Sequence, residues 1–356
     1  MSWLITLWSL LALGFTASAL LRLRRAKAPA RLDVPVLLLR PVDAPTPVEL
    51  ENLAAPLPDG VEQVVLSPYA LRKRPTGRWL YSDPPSANRK AGHLAYATAV
   101  LPTEGRVVVA VDADVRVDAE LLAALVEPVR RGAALATAEP RLVGAPSLGA
   151  AALRGLLNHS HQNFSAIDAV TPGARAVCGK AMALGPAALE ELPKLLGCIG
   201  EDLELARRLH ARGEQVELAA APARVPQQAV SLESAFARVT RWMMVLRAHR
   251  PGLWPFVPVL FACTLPLALL AALLGSTTLG LLATALVTAR TGLSLALAPR
   301  LEGTWEWALG ELLLLAAFVA AVGRRTVEWR GRTLEVMPGG HIHVRAAART
   351  SAESAT

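Results

Sequence analysis

A chain of 356 residues that is 53% hydrophobic, with a mean hydropathy of +0.37, is too apolar for an ordinary soluble enzyme, while its 19% of charged residues excludes a pure membrane bundle. A soluble domain with membrane segments attached satisfies both limits. The net charge of +8 asks for an anionic partner, and arginines clustered beside apolar runs, with aromatics at only 5%, favour a membrane surface over nucleic acid.

Trp3 to Leu21 carries no charge and is long enough to cross a bilayer, and Arg22, Arg24, Arg25 and Lys27 follow at once. That asymmetry places the following domain in the cytoplasm. A cleaved signal peptide, the other reading that Ala17-Ser18-Ala19 allows, carries its charges before the apolar run. From Asp33 to about Val225 the pattern alternates. Val34 to Leu39, Gln63 to Leu66 and Arg106 to Val111 read as strands, and Asn88 to Val100 and Asp118 to Arg131 as helices. Such alternation predicts an α/β domain with a mostly parallel sheet and a ligand site at the carboxyl ends of its strands. The proline-rich stretches Asp43 to Pro58 and Ser67 to Pro85 read as surface loops. Cys178, Cys198 and Cys263 are widely spaced and match neither a disulfide framework nor a zinc pattern, which fits a reducing compartment.

Three stretches carry candidate chemistry. The valine-rich strand at 107–111 runs into Asp112 and Asp114, which strand alternation would point the same way. Two such carboxylates suit Mg²⁺ or Mn²⁺ with a substrate phosphate completing the shell, and an Asp-rich turn is the plainer reading. Gly200, Glu201 and Asp202 open a helix expected to run from Leu203 to Arg212. One acid there either complements the helix dipole or serves as a general base. In Ser231 to Ala248, Arg238, Arg241, Trp242 and Val245 share one helical face, and Phe236, Val239, Met243 and Leu246 share another. Such a helix can lie on a membrane, or its arginines can grip a diphosphate.

After Pro251 three apolar runs follow: Leu253 to Leu274 without a charge, Thr278 to Ala298 with only Arg290, and Ala308 to Gly323 with only Glu311. Three spans would put Arg324, Arg325, Arg330 and Arg332 outside, against the positive-inside tendency, so one run is expected to be interfacial or re-entrant. The small-residue tail from Pro338 reads as disordered.

Taken in order, VDADVRV at 111–117, GEDLELARRL at 200–209 and RVTRW at 238–242 resemble an inverting membrane glycosyltransferase of the GT-A fold. The chain is most similar to ceramide glucosyltransferases of family 21, which are related to family 2. LLLRPVDAPTPVELENL near the start, NRKAGHLAYA at 88–97, SHQNFSA at 160–166 and GKAMAL at 179–184 strengthen the likeness. The resemblance implies a division into a membrane anchor at 1–30, a GT-A catalytic domain at 31–230, an interfacial RxxRW helix at 231–250, membrane helices at 251–325 and a cytoplasmic or disordered tail at 326–356. It assigns Asp112 and Asp114 to the metal and the nucleotide diphosphate, and Asp202, beside Glu201, to the base that deprotonates the acceptor. Arg238 and Arg241 would hold the diphosphate and Trp242 would close over the acceptor. Asn88 and Lys90 fall near the nucleotide, although Lys90 at a helix start also reads as a solvated lysine. His161 matches a family histidine that either serves the acceptor side or only packs.

The implied activity is transfer of a hexose, glucose in the first instance, from a UDP-sugar with a divalent metal to a ceramide-like lipid, by a multi-pass protein of the bacterial inner membrane that does not act on nucleic acid. A hopanoid or diacylglycerol acceptor, or a catalytically impaired scaffold that binds lipid or nucleotide, are the alternatives. A processive polysaccharide synthase usually carries more spans. One departure concerns the donor: the family's acid after its second strand is missing from SPYALRKRP, and Asp83 is the candidate to replace it in space.

Overall fold

The computed structural model describes residues 2–24, 32–71, 74–163, 176–297, 303–329 and 332–344. Parts of the expected features, namely residues 25–31, 72–73, 164–175, 298–302, 330–331 and 345–356, lie outside them.

Helix α1 (Ser2–Arg24) precedes the α/β domain. Strand β1 (Val36–Pro41) leads through helix α2 (Pro47–Leu53) to β2 (Val61–Ser67) and β3 (Arg78–Tyr81). Both α2 and β3 fall in stretches expected to be loops. The capping box of α2 was readable: the Thr46 side chain accepts from the backbone of Glu49 and the Glu49 carboxylate accepts from Thr46 N, with Pro47 opening the first turn. Helix α3 (Arg89–Val100), β4 (Val107–Val111), α4 (Ala119–Arg130) and β5 (Leu135–Thr137) follow as expected to within two residues for the first three. Then come β6 (Pro140–Val143), α5 (Leu148–His161), β7 (Ala181–Leu184), α6 (Pro186–Glu191), α7 (Glu201–Ala211), β8 (Val216–Leu218) and β9 (Ala223–Pro226).

Seven strands form one sheet in the order β3-β2-β1-β4-β7-β5-β8, and only β7 runs against the rest. The fold class is therefore α/β with a mostly parallel sheet, as the alternation predicts. Alternate residues serve opposite faces: Leu37, Leu39, Val108 and Ala110 pack with α3 and α7, and Val36, Leu38, Val109 and Val111 pack with α4. From β1 the chain winds outward through β2 to β3, then returns to place β4 on the other side of β1. The crevice beyond the carboxyl ends of β1 and β4 is thus a topological switch point, where open α/β sheets bind ligands.

The apolar half differs from expectation in an informative way. Leu253 to Leu274 is two short helices, α9 (Phe256–Phe261) and α10 (Thr264–Leu274), with Ala262 at φ −135° between them. Pro266 lacks the N–H that a continuous helix would use there. The break is capped by the two isolated charges of the later runs. Arg290 of α11 (Thr277–Leu297) donates to Leu260 O and Phe261 O, each at 3.0 Å, and Glu311 of α12 (Glu306–Gly323) accepts from Leu265 N at 3.1 Å. Arg290 and Glu311 also form an ion pair, both almost fully buried. Among the described residues three helices, α1, α11 and α12, are long and apolar enough to cross a membrane.

Between the domain and these helices lies α8 (Leu232–His249), the RxxRW helix, with Ser231 as its cap. Helix α12 packs along both α5 and α8. Its start is held by the Arg154–Glu306 pair from α5, and its last carbonyls, Ala321, Val322 and Arg324, accept from Arg247 of α8. Glycines permit the contact with α5: a Cβ on Gly155 would lie 1.9 Å from Glu306 O, and one on Gly310 would lie 2.4 Å from Leu156 N.

The expectation of a disordered tail from Pro338 is corrected for residues 338–344. Strands β10 (Thr326–Trp329), β11 (Arg332–Val336) and β12 (Ile342–Val344) form an antiparallel sheet. It docks on the α/β domain through Ile199 N to Gly340 O at 2.8 Å and Ile342 N to Gly197 O at 2.9 Å. Polar composition concealed this because the stability comes from docking rather than from a core of its own.

Candidate active site

Strand β4 ends at Val111, and the turn that follows carries Asp112 and Asp114. Their carboxylates converge because of that turn, closed by Val115 N on Asp112 O at 3.1 Å, and not because of strand alternation. Ala113 points into a small core with Val42, Leu53 and Val65, which fixes the turn from behind. A second support is Arg40 at the end of β1. Its side chain is fully buried and donates from Nη2 to the carbonyls of Asp112, Ala113 and Val115 at 3.1, 3.1 and 2.9 Å. Burial draws the Arg40 guanidinium down to about 10, against the pull of Asp114 and Asp112.

Two lysines meet the aspartates. Lys90, from the first turn of α3, lies 2.8 Å from Asp112 Oδ1 and 3.1 Å from Glu201 Oε1, and donates to Gly179 O at 2.5 Å. Lys180, just before β7, lies 2.5 Å from Asp114 Oδ2 and 3.2 Å from Asp112 Oδ2. Burial would raise the Asp112 pKa, but Lys90 and Lys180 outweigh it and hold the carboxyl at about 2. The solvated-lysine reading of Lys90 is set aside, because its side chain is 12% exposed and it bridges two acids.

Helix α7 begins at Gly200, whose φ of +73° turns the chain into the site, and so presents Glu201 and Asp202. Asp202 Oδ2 accepts from Gly179 N at 2.7 Å. Burial, followed by the neighbouring Glu201 carboxylate, pushes its pKa up from the ordinary range. Gly179 is the seam of the site: a Cβ there would sit 3.1 Å from Lys90 Nζ and 3.3 Å from Asp202 Cγ. Asn88, expected near the nucleotide, ties the start of α3 to the start of α7. It is fully buried, its Oδ1 caps α3 at Ala91 N, and its Nδ2 donates to Cys198 O and Glu201 Oε2 at 2.7 and 3.0 Å.

The RxxRW helix reaches the same region from the side of the apolar helices. A Cβ on Gly200 would lie 2.6 Å from Val245 Cγ1, so the face of α8 that carries Val245 abuts the start of α7. Arg238, Arg241 and Trp242 belong to that face by helical spacing, with Trp242 packed against the core between α5, α8 and α12. His161 ends α5, and its Nδ1 bonds Leu157 O at 2.9 Å, which commits that nitrogen to its own helix.

Further residues join the site without having been singled out from sequence. Arg40 and Lys180 are two of them. Asp43, just past β1, accepts from Arg89 Nε at 2.9 Å and meets His93 Nε2 at 3.0 Å, while His93 Nδ1 meets Ser82 Oγ at 2.8 Å. Arg89 also pairs with Asp83 at 2.8 Å. Asp83 therefore shares an arginine with Asp43, beyond the carboxyl ends of β1 and β3. A lone arginine in the apolar run LLLRP was the one legible signal for Arg40.

The aspartate pair suits a divalent metal. Asp112 and Asp114 offer hard oxygens on one side, and Asp114 Oδ1 is buried without a hydrogen-bond partner, an orphaned acceptor that a cation would satisfy. Among the described residues no group of three or more His, Cys, Asp or Glu converges on a metal position, so phosphate and water would supply the other ligands.

The family model of glycosyl transferase family 21 matches residues 79–342, from β3 to the docked tail. The chain belongs to glycosyl transferase family 21. Its α/β class and mostly parallel sheet agree with the GT-A expectation, and it is a glycosyltransferase. No curated protein matches the chain. Among solved structures it is similar to the mannosyltransferase PcManGT from Pyrobaculum calidifontis in complex with GDP-Man and Mn²⁺, at 17% identity and a TM-score of 0.43, covering 89% of this chain and 99% of that one. It is also similar to the bifunctional IspDF from Campylobacter jejuni, at 12% identity and a TM-score of 0.32, covering 54% and 51%.

Proposed function

We propose that this family 21 enzyme is a membrane-bound inverting hexosyltransferase that moves glucose from a UDP-sugar to the primary hydroxyl of a lipid, with ceramide the favoured acceptor. One observation carries this reading: Asp202, its pKa raised, and Asp112 meet across Gly179 and Lys90 at a switch point of the sheet. A base that must accept an alcohol proton gains from a raised pKa. Asp202, fixed by Gly179 N, takes the proton from the acceptor hydroxyl as that oxygen attacks the anomeric carbon. In-line attack inverts the configuration, so an α-linked donor yields a β-linked glycolipid. Lys90, Arg238 and Arg241 receive the charge of the departing diphosphate, for which planar guanidinium groups are well suited. A Mg²⁺ or Mn²⁺ ion held by Asp112 and Asp114 would neutralise the same diphosphate.

The acceptor class follows from the placement of α8, which joins the start of α7 to the apolar helices. A lipid hydroxyl can then reach Asp202 while its chains stay in the bilayer, with Trp242 beside it. Both ends of α12 are tethered to helices of the catalytic assembly, so α12 is the interfacial run that the arginine count called for. The docked tail then lies on the cytoplasmic side together with the catalytic domain, and the protein is multi-pass through α1 and the α9–α10–α11 excursion. At the donor end, Asp43 and Asp83 around Arg89 replace the acid missing from SPYALRKRP.

The test is product formation. Membranes containing the protein, supplied with Mn²⁺ and a panel of UDP-sugars, are assayed on ceramide, diacylglycerol and hopanoid acceptors, and one lipid-linked hexose is expected. Transfer only to diacylglycerol or a hopanoid would reassign the acceptor. Formation of no glycolipid from any pair would sink the reading in favour of a scaffold.

A further inference from the structure

Lys180 holds the aspartate pair differently from Lys90. Lys90 has other anchors, Glu201 and Gly179 O, and is 12% exposed. Lys180 is 29% exposed, and among the described residues its acidic partners are Asp112 and Asp114 alone. Its backbone carbonyl accepts from Asp112 N at 2.9 Å, so the residue is tied to the turn it neutralises. Three of the four carboxylate oxygens therefore face an ammonium, and the fourth, Asp114 Oδ1, is buried and unpartnered.

An ammonium on these carboxylates opposes a divalent cation held by the same pair, because Asp114 Oδ1 alone of the four oxygens is open to the ion. They compete for the same oxygens, and cations a few ångströms apart repel strongly at an interior dielectric. A free divalent ion would have to displace an ammonium whose acidic partners, among the described residues, are the two carboxylates the metal needs. A diphosphate supplies another partner, since its oxygens can accept the ammonium while it shares the metal. Resting on the glycosyltransferase reading, we propose that Lys180 is a specificity-determining counter-ion that reserves the Asp112–Asp114 position and yields it to a divalent cation only together with a nucleoside diphosphate. Metal and nucleotide binding are thereby coupled, and the coupling is reciprocal.

The experiment uses the purified full-length protein in detergent, stripped of metal. Mn²⁺ binding is followed by loss of the free-ion electron paramagnetic resonance signal, alone and with UDP or GDP, against nucleotide blanks without protein. Wild type should bind Mn²⁺ about tenfold more tightly with nucleotide than without. Lys180→Met, which keeps an unbranched chain one atom shorter and removes the charge, should bind Mn²⁺ alone about tenfold more tightly than wild type and lose most of the nucleotide enhancement. Lys180→Arg should retain the wild-type coupling, and Lys180→Gln serves if the methionine variant fails to fold by thermal unfolding. If the neutral variant binds Mn²⁺ alone no better than wild type while nucleotide still binds with Mn²⁺, the role of Lys180 is overturned and the donor site stands. If wild type binds neither nucleotide in the presence of Mn²⁺, the donor-site reading falls and takes this proposal with it.

Discussion

Replacing Arg40 by methionine separates two opposing contributions in one side chain. The substitution removes three donated protons, two on Nη2 shared among the carbonyls of Asp112, Ala113 and Val115 and one from Nη1 to Gln63 Oε1 at 3.4 Å, while roughly keeping the volume. Hydrogen bonds from a charged donor are worth about 1.5 kcal/mol each at the low end, so the gross loss is roughly 4–5 kcal/mol. Against it stands the cost of burying the charge. The fall from 12.5 to about 10 corresponds to roughly 3 kcal/mol of penalty on the ionised form, which methionine relieves. The net destabilisation is therefore only about 1–2 kcal/mol, and the variant remains folded. Activity should suffer more, because the turn that holds both aspartates has lost its lateral support. A drop in kcat/KM of about tenfold to a hundredfold is expected, with Arg40→Lys in between because it keeps the charge and loses the fork. The assay pairs thermal unfolding of the purified protein with sugar transfer to lipid. A methionine variant matching wild type in both readouts would refute the claim that Arg40 holds the turn.

Other expectations follow from the same geometry. Gly179→Ala places a Cβ within 3.3 Å of Asp202 Cγ and 3.1 Å of Lys90 Nζ, so these groups must shift by a few tenths of an ångström; turnover should fall about tenfold with little change in thermal stability. Gly200→Ala combines a φ of +73° with a Cβ 2.6 Å from Val245 Cγ1 and should cost about 2–3 kcal/mol or more, read as a lower unfolding temperature. The pH dependence has two signs. Asp112, with its pKa depressed from 3.8 to about 2, contributes stability that is fully present above about pH 4 and is lost as the pH falls towards 2, which an acid unfolding titration of metal-stripped protein and Asp112→Asn would reveal. Asp202 is shifted the other way, so burying its charge opposes folding at pH above its ordinary range, and as a base it works only when ionised. The acid limb of the kcat profile should therefore lie above the 3.8 of an ordinary aspartate.

Much of this was legible because the relevant signals are local. Valine-rich strands, the caps of α3 and α4 and the acid pair after β4 are short-range patterns, and the order of the three motifs carried the family. What stayed hidden depends on distant segments. Lys180 stands at Asp112 because β7 runs antiparallel to β4, and nothing in GKAMAL dictates that pairing. Asn88 reads as a polar residue ahead of a nucleotide segment, yet its amide is spent on Cys198 and Glu201, more than a hundred positions away. Arg290 and Glu311 looked like blemishes in two membrane runs until the broken α9–α10 helix brought them together. The order of the tail is hidden for the same reason, since Gly340 and Ile342 bond to Ile199 and Gly197, and Ile342 is buried among residues of α5, α8 and α12.

The most direct test of the central claim compares wild type with Asp202→Asn for transfer of labelled hexose from a UDP-sugar to lipid, with UDP binding measured on the same preparations. The amide keeps the shape and cannot take the proton, so turnover should fall by about a hundredfold or more while UDP affinity is unchanged. Undiminished transfer in Asp202→Asn, or a wild-type protein that binds UDP and forms no lipid-linked sugar, would contradict the assignment of Asp202 as the base of a lipid glycosyltransferase.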